Sequence, residues 1–394
     1  MNPLPNDPWQ LDVVAGWLLR EGWRMQNRRL LFQEIAQRLI GEGVPIWRMA
    51  AYIPTLHPEL FADAFFWRSD TKRATYVQAQ HQVKVTEEFQ ASPLHEVTRT
   101  GQPLRRKLTG PAAQLDFPFL QEIASQGATE HYIAPVFYAN NTIVHLSFTT
   151  NSPGGFSDAH IKTFDDLAVI FAPIVEAFST NMMAARLLDT YVGHNAGQRV
   201  LTGQIVRGSG ETLRAALWYC DLRGFTALSD QLPRDQLIAT LNAYFDCMGE
   251  AIEQQHGEVL KFIGDAMLAI FPVAGDEQAA CVSAFAAARQ GLAAMDKLNQ
   301  ERAGRGESAL AFGIALHIGD VMYGNIGTKH RLDFTVIGPA VNFAARLEAV
   351  CRQLGQRLVI SEPVARHLGD QVSAIGQHTL RSIPQPQALF IPAS

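Results

Sequence analysis

The chain has 394 residues, of which 47% are apolar and 18% charged, and its formal net charge is -5. This length predicts two domains of ordinary size, and the composition is that of a folded rather than a disordered protein. The small negative charge provides no broad basic surface, which excludes nucleic acid as the main partner.

The first third of the chain predicts helices followed by a hairpin. Residues 1–10 are acidic and interrupted by proline, so they do not predict a secretory signal. Apolar residues recur at helical spacing from Trp9 to Gly41, which indicates one or two helices. Aromatic and branched residues then fill Trp47–Pro54 and Phe61–Arg68, which predict a pair of strands.

A second hairpin and a long helix follow. Thr129–Tyr138 and Thr142–Thr149 are predicted strands joined by a turn-forming connection. The periodic run from Ile161 to about Leu188 predicts a long helix. Its most apolar part, Leu167–Phe178, contains a proline and a glutamate and is too short to span a bilayer. We therefore expect no membrane insertion and a cytoplasmic protein.

The order of helix, hairpin, polar middle, hairpin and exit helix over about residues 28–180 resembles a GAF domain. The resemblance also rests on TGQPLRRKL and on YIAPVFY, VHLSFTT and GFSDAHIKTFDDLAVI. It implies that residues 1–180, with their leading helices, form an α/β sensor domain for a small-molecule or protein signal. This region has no cysteine and no metal-ligand spacing of histidines, so the sequence does not identify that signal.

A glycine-rich connector precedes the second half of the chain. Residues 189–214 contain five glycines and little apolar periodicity, so we interpret 181–214 as a signalling helix and jointed connector. From residue 215 onward, strands and helices alternate. The predicted strands are Ala216–Asp221, Gly257–Lys261, Ala266–Phe271, Ala311–Ile318 and Val321–Ile326, and the predicted helices are Arg234–Gln255 and Glu277–Asn299.

Two short acidic motifs carry the strongest functional signal. YCDLRGFT places Asp221, and KFIGDAMLAIF places Asp265, at the end of a strand beside glycine. If the first strand lies beside the hairpin that turns at Gly264, the two carboxylates converge and can bind two divalent ions. The alternative is that each aspartate only caps a turn or a helix, as Asp221 would for a helix that begins near Phe225.

With the later VIGPAVNFAARLEAV, these motifs resemble the catalytic domain of class III adenylate and guanylate cyclases over about residues 190–394. The resemblance implies an α+β fold with a ferredoxin-like βαββαβ core in a catalytic domain at 215–394, and two Mg²⁺ or Mn²⁺ ions. It assigns the metal site to Asp221, Leu222 and Asp265, substrate contacts to Lys261, Thr335, Phe225, Thr226, Gly264 and Arg381, and catalysis to Asn342 and Arg346.

The resemblance makes Lys261 and Thr335 the readers of the base. An ammonium donates to the adenine ring nitrogen, whereas family guanylate cyclases typically carry Glu at that position. Many members have Asp where this chain has Thr335, and the Thr subgroup includes members stimulated by bicarbonate, which makes bicarbonate a possible effector. The alternatives are an edge-strand lysine and an ordinary β-branched strand residue.

Asn342 and Arg346 are four residues apart, so a helix places them on one face. Arginine suits the charge that grows on the α-phosphate, and asparagine suits the ribose. The alternative is an exposed Arg346 paired with Glu348. Arg381 is the nearest match to a phosphate-contacting lysine of the family, but the glycine usually beside that lysine is Ser382 here. The alternative interpretation, an ordinary arginine on the surface, therefore has equal weight.

The implied reaction converts ATP into cyclic AMP and pyrophosphate. Family sites form between two catalytic domains, and this single domain carries both residue sets, so the resemblance implies a homodimer. The alternatives are a guanylate or dual-specificity cyclase and a catalytically silent nucleotide-binding module. A diguanylate cyclase is disfavoured because its GGDEF-type signature is absent.

Overall fold

The computed structural model describes residues 13–393. These residues fold into two compact units that divide between Leu187 and Leu188. The start of the first predicted helix, at Trp9, and the residues considered for a secretory signal lie outside the described part of the chain.

The N-terminal unit alternates short helices and strands before one long helix. Local sequence signals set these elements: the Asn27 side chain caps the second helix by accepting from the Leu30 N–H, and Gly101, at φ 65°, ends the fourth. The elements are α1 (Val13–Arg20), α2 (Arg28–Gly41), β1 (Arg48–Pro54), β2 (Leu60–Arg68), β3 (Arg73–Gln80), α3 (Glu87–Gln90), α4 (Pro93–Thr100), β4 (Leu104–Lys107), α5 (Pro118–Ser125), β5 (Glu130–Phe137), β6 (Ile143–Thr150) and α6 (Asp158–Val192).

The six strands of this unit form one antiparallel sheet in the order β3-β2-β1-β6-β5-β4. Both predicted hairpins are confirmed, as β1–β2 and β5–β6. Asn141 takes the left-handed conformation, φ 63°, in the second turn, which asparagine tolerates. The sequence did not predict β3, because only Ala74 in it is buried and it shows no apolar alternation.

The two faces of the sheet differ in chemistry. On one face, Tyr132, Leu146 and Phe148 join an apolar core with α2 and α6. The opposite face of β5 and β6 buries polar side chains, which are His131, His145, Ser147 and Thr149. The segment that carries α3, α4 and α5 lies over part of this polar face, because residues from it and from the strands line one cavity.

Helix α6 confirms the predicted long helix and extends it at both ends. Arg186, near its C-terminal end, forms an ion pair with Asp63 of β2, whose carboxylate is completely buried, at 2.9 Å. The Arg186 guanidinium also donates to the hydroxyls of Thr55 and Tyr76. This buried polar network fixes the end of α6 to the sheet of its own unit.

The apolar stretch Leu167–Phe178, which by itself is too short to span a bilayer, lies inside α6. The helix has 35 residues and is, by length and composition alone, apolar enough to cross a membrane. Its Phe164, Leu167, Phe171 and Val175 side chains are buried in the apolar core of the N-terminal unit. Packing within the N-terminal unit therefore explains the apolar face of α6 as well as a membrane span would.

The C-terminal unit is a second α/β sheet with helices on both faces. Its elements are α7 (His194–Leu201), β7 (Gly210–Arg223), α8 (Phe225–Gln231), α9 (Arg234–Gln254), β8 (Glu258–Ile263), β9 (Ala266–Pro272), α10 (Glu277–Gly304), β10 (Ala311–Gly327), β11 (Leu332–Ile337), α11 (Pro339–Gln353), β12 (Leu358–Ser361), α12 (Glu362–Leu368), β13 (Val372–His378) and β14 (Gln387–Pro392).

The centre of this sheet has the predicted βαββαβ topology. Its strands β10, β7, β9 and β8 are neighbours in that order, which is the 4-1-3-2 order of a ferredoxin-like core. β12 joins β10 in parallel, and β14 and β13 follow it at the edge. Trp218, Met267 and Phe271 pack on one face against α9 and α10, whereas α7 and α11 cover the other.

One long strand replaces two that the sequence predicted. Residues 311–318 and 321–326 belong to the single strand β10, and Gly319 and Asp320 continue it. They do so because β7 is also long and pairs with β10 without interruption from Ala311 to Gly324. β11 then pairs with the far end of β10.

The predicted signalling helix and jointed connector, residues 181–214, are mostly helical. α6 continues to Val192 and α7 occupies 194–201, so only Gly193 and residues 202–209 of this connector lack regular structure. Close packing leaves room only for small side chains at Ala196 and Gly197, since a Cβ at Gly197 would lie 3.1 Å from Leu188. The predicted domain limit at residue 215 falls inside β7, which begins at Gly210.

Candidate active site

Asp221 and Asp265 converge at one end of the central sheet. Asp221 lies near the end of β7 opposite Ala266, the first residue of β9, and Asp265 lies in the turn that precedes it. The two carboxyl groups are within hydrogen-bonding reach, and burial followed by the charge of Asp265 raises the pKa of Asp221 to about 6. The sequence-based prediction that these two side chains meet is therefore confirmed.

The carboxylate pair fits a divalent cation. Neither Asp221 nor Asp265 forms an ion pair with a basic residue among residues 13–393, so their charges are not neutralised by the described chain. No cluster of three or more His, Cys, Asp or Glu side chains in that range could bind a metal alone. Mg²⁺ commonly binds through one or two carboxylates and completes its shell with water and phosphate oxygens.

The alternative role of Asp221 as a helix cap is wrong. The cap position of α8 is Gly224, at φ 73°, and no side chain accepts a hydrogen bond there. The half-buried Phe225 and the exposed Thr226 follow directly, so the chain turns sharply just after the carboxylate. Gly264 makes the corresponding turn before Asp265 at φ 66°, a conformation that favours glycine.

Glu348 is a third acid near this pair, although the sequence did not predict it as a site residue. It lies on α11, is 7% exposed, and its pKa is raised to about 7 by burial and then by the charges of Asp221 and Asp265. A Cβ at Gly313, the β10 residue opposite Asp221, would lie 2.3 Å from Glu348 Oε1. Glycine at 313 thus makes room for the buried carboxyl.

Lys261 and Thr335, the predicted base readers, lie on strands that meet. The Lys261 ammonium on β8 forms an ion pair with Asp333 on β11. Thr335 is two residues along the same face of β11, is 5% exposed, and its hydroxyl has no partner in the described chain. Asp333 was not singled out from the sequence, although its spacing of two from Thr335 on a strand was the available signal.

Asn342 and Arg346 lie on the side of α11 that faces away from the sheet. At 100° per residue, both lie opposite the sheet-facing residues Ala340, Ala344 and Glu348. Asn342 is exposed and Arg346 half-buried, and neither side chain has a hydrogen-bonding or ionic partner within residues 13–393. The alternative pairing of Arg346 with Glu348 is therefore wrong.

Asn342 and Arg346 are turned away from the carboxylate pair of their own chain. The sheet-facing side of α11 covers β10, since Ala340 contacts the position of Gly319 and Glu348 that of Gly313. Asp221 lies opposite Gly313 in the sheet and hence beneath this helix. A single copy of the chain therefore does not bring Asn342 and Arg346 together with the Asp221 and Asp265 carboxylates.

Arg381 is exposed and has no partner in the described chain. Ser382 beside it adopts φ 59°, the left-handed region that favours glycine. The backbone here thus has a conformation that glycine adopts more readily than serine. The serine fills this position at a steric cost of about 1 kcal/mol.

In a comparison with known protein families, residues 210–383 match the model of the adenylate and guanylate cyclase catalytic domain. An adenylate cyclase of Anabaena cylindrica is 38% identical over 165 residues, which are 41% of this chain and 32% of that protein. Adenylate cyclase 1 of Rhizobium meliloti is 32% identical over 158 residues, 39% of this chain and 23% of that protein. The chain thus spans about a third or less of these curated relatives.

A solved structure, that of the adenylyl cyclase CyaB from P. aeruginosa, is 24% identical with a TM-score of 0.43 and covers 47% of this chain and 96% of that one. The matched range 210–383 begins with the first residue of β7 and contains all the predicted site residues. Residues 210–383 of this chain are therefore similar to the adenylate and guanylate cyclase catalytic domain.

Proposed function

We propose that this chain is an adenylate cyclase of the Thr subgroup that converts ATP into 3′,5′-cyclic AMP and pyrophosphate. The observation that carries the proposal is the convergence of Asp221 and Asp265 without a basic partner, in a domain similar to the cyclase catalytic domain. The 3′-oxygen of the ribose forms a bond to the α-phosphorus, and the bond from that phosphorus to the leaving pyrophosphate breaks. The hydroxyl proton passes to solvent.

Two divalent ions, Mg²⁺ or Mn²⁺, would lower the pKa of the 3′-hydroxyl and neutralise triphosphate charge when bound. Asp221 and Asp265 would hold them through hard oxygen ligands. Leu222 can add only its backbone oxygen, because its side chain is a hydrocarbon, which packs in the core. The Gly264 turn holds the Asp265 carboxylate on a short, rigid hairpin.

Positioning and charge stabilisation account for the rest of catalysis. Arg346 donates to the oxygens of the α-phosphate as negative charge grows there, and Asn342 orients the ribose. Phe225 and Thr226, just beyond the end of the Asp221 strand, would contact the triphosphate. Arg381, exposed and unpaired, is assigned to the phosphates.

Lys261, Asp333 and Thr335 form the base site. Adenine presents a ring nitrogen that accepts and an amino group that donates. The Lys261 ammonium can only donate, whereas the Asp333 carboxylate and the Thr335 hydroxyl can accept. The ion pair with Asp333 holds the lysine in place, and the unpartnered Thr335 hydroxyl gains a partner when the base binds.

We propose a homodimer in which each active site combines two chains. The orientation of α11 supports this, because Asn342 and Arg346 face away from Asp221 of their own chain. A second copy related by a twofold axis would supply the missing set at two equivalent sites.

Mixing two inactive variants tests the dimer. Asp265→Asn and Arg346→Ala are each expected to be inactive alone, whereas half of the randomly mixed dimers carry one intact site, so about a quarter of wild-type activity should return. Mixing two Asp265→Asn samples is the matched control. Failure to recover activity, with exchange of subunits demonstrated, would contradict the shared site.

Cyclic nucleotide production by the purified chain tests the reaction and the base. ATP and GTP are supplied in parallel with Mn²⁺ or Mg²⁺, beside Asp265→Asn. Cyclic AMP from ATP that is lost in the variant is the expected result. Equal turnover of GTP would favour a dual-specificity cyclase, and silence with both nucleotides in the full chain and after deletion of residues 1–185 would favour a binding module.

We further propose that residues 1–180 form a GAF-like sensor domain, and that the connector after it transmits its state to a cytoplasmic catalytic domain that begins with β7 at Gly210. The buried Asp63–Arg186 pair supports this, since it links the sheet to the end of α6. Bicarbonate stimulation is proposed from Thr335, and a bicarbonate titration at constant pH that leaves the rate unchanged would remove it.

A further inference from the structure

A cavity of about 320 Å³ lies between the polar face of the N-terminal sheet and the segment that carries α3, α4 and α5. We call it the sheet cavity. Its floor consists of Tyr52, His131, Ile133 and Ser147, which lie on one face of the adjacent strands β1, β6 and β5. Its volume is at the lower end of the range of small-molecule sites.

His131 on this floor lacks a partner that its burial calls for. The side chain is 2% exposed, and its Nδ1 lies 2.8 Å from the Thr149 hydroxyl. Its Nε2 is buried and has no hydrogen-bonding partner in the described chain. A buried polar atom without a partner is unfavourable, and a ligand that bonds to it would relieve that cost.

Nε2 of His131 can form a hydrogen bond with either a donor or an acceptor. Burial lowers its pKa to about 3, so the ring is neutral at physiological pH. Because the Thr149 hydroxyl can accept from Nδ1 or donate to it, both tautomers are available to the ring. A heteroaromatic ring nitrogen, an N–H or a hydroxyl therefore suits Nε2.

The walls favour a planar, apolar body. Phe89 and Phe119 line the cavity beside Ile133, and the Phe119 ring lies edge-on to His131 with 5.4 Å between ring centroids. Aromatic side chains in such positions pack well against flat rings.

The charged side chains that line the cavity disfavour anions, because Arg48, whose charge reaches His131 and Glu122, does not line it. Glu88 and Glu122 are its two charged lining residues, and no lysine or arginine lines it. Phosphate and carboxylate ligands need paired basic groups when they leave water, so nucleotides, including the cyclic product of the proposed reaction, do not suit this cavity.

We propose that the sheet cavity binds a small planar heteroaromatic ligand that is uncharged or cationic and bonds to Nε2 of His131. Binding itself is independent of the proposed cyclase activity, and only the effect of the ligand on catalysis rests on that function.

Saturation-transfer NMR on the full chain tests the proposal with three matched probes at millimolar concentration. They are benzimidazole, its 5-aminomethyl derivative and its 5-carboxylate. The first two should receive saturation from the protein and the carboxylate should not. No transfer to either of the first two would overturn the proposal, and equal transfer to the carboxylate would overturn its charge argument.

Variants locate the binding. Ser147→Phe fills the floor and should abolish transfer, whereas His145→Gln, on the same buried face but bonded to Thr98 outside the cavity, should retain it. His131→Phe should weaken benzimidazole about tenfold, the equivalent of one hydrogen bond, and leave the hydrocarbon indene unchanged. Equal weakening of both probes, or binding that survives in a folded Ser147→Phe chain, would refute the site.

Discussion

Replacing Asp265 with asparagine should stabilise the metal-free protein while it abolishes the proposed activity. The Asp221 carboxyl is half-buried beside Asp265, and no basic group of the described chain compensates the pair. Asparagine preserves the shape of the side chain and removes one of the two repelling charges.

The size of the expected stabilisation follows from the pKa shift of Asp221. A rise in its pKa from 3.8 to about 6 corresponds to about 3 kcal/mol between its charge states. Burial is the larger cause, and solvent screens a half-buried pair, so the share relieved by Asp265→Asn is about 1 kcal/mol. For a unit of this size, that raises the melting temperature by about 2–4 °C.

The pH dependence has a definite sign. The Asp221 pKa is higher in the folded than in the unfolded chain, so its contribution to stability is complete at low pH and is lost as the pH rises through about 6. The variant should gain stability at about pH 8 and lose that advantage below about pH 4, where Asp221 is protonated in both states. Added Mn²⁺ should make the wild type more stable than the variant, because only the intact Asp221–Asp265 pair binds the ion well.

Thermal melts of the full chain in EDTA across this pH range, and again with Mn²⁺, measure the effect. The exposed Asp370→Asn is the matched control and should change little. A variant that is less stable than the wild type in EDTA at about pH 8, or one with an unchanged pH slope, would refute the charge repulsion on which the metal assignment rests.

Three further changes test individual contacts by thermal melting. Ser382→Gly should stabilise the chain by up to about 1 kcal/mol, because it removes a left-handed serine, and a loss of stability would contradict that strain. Gly313→Ala should destabilise by about 1–3 kcal/mol through its clash with Glu348, and a neutral result would mean that the carboxyl moves aside freely. Asp63→Ala should cost about 3–5 kcal/mol because it strands the Arg186 charge, and adding Arg186→Met should restore part of the loss.

The sequence alone determined the elements with strong periodicity and the residues that carry chemistry. The two hairpins, α6, α9 and α10 follow from apolar spacing, and the acidic motifs identified Asp221 and Asp265 before their approach was known. Local chemistry also set the turns at Gly264 and Asn141, where backbone conformation restricts the residue. β3 was missed because an exposed strand shows no apolar alternation.

Only the tertiary structure decided what those residues face. Pairing with the continuous strand β7 makes residues 311–327 one strand, and packing makes 194–201 a helix, where the glycines predicted a jointed connector. The contacts of Glu348 and Asp333 come from elements distant in the chain, which local spacing does not encode. The packing of α11 on the sheet likewise turned Arg346 outward, because helical spacing fixes which residues share a face but only burial selects the face that points inward.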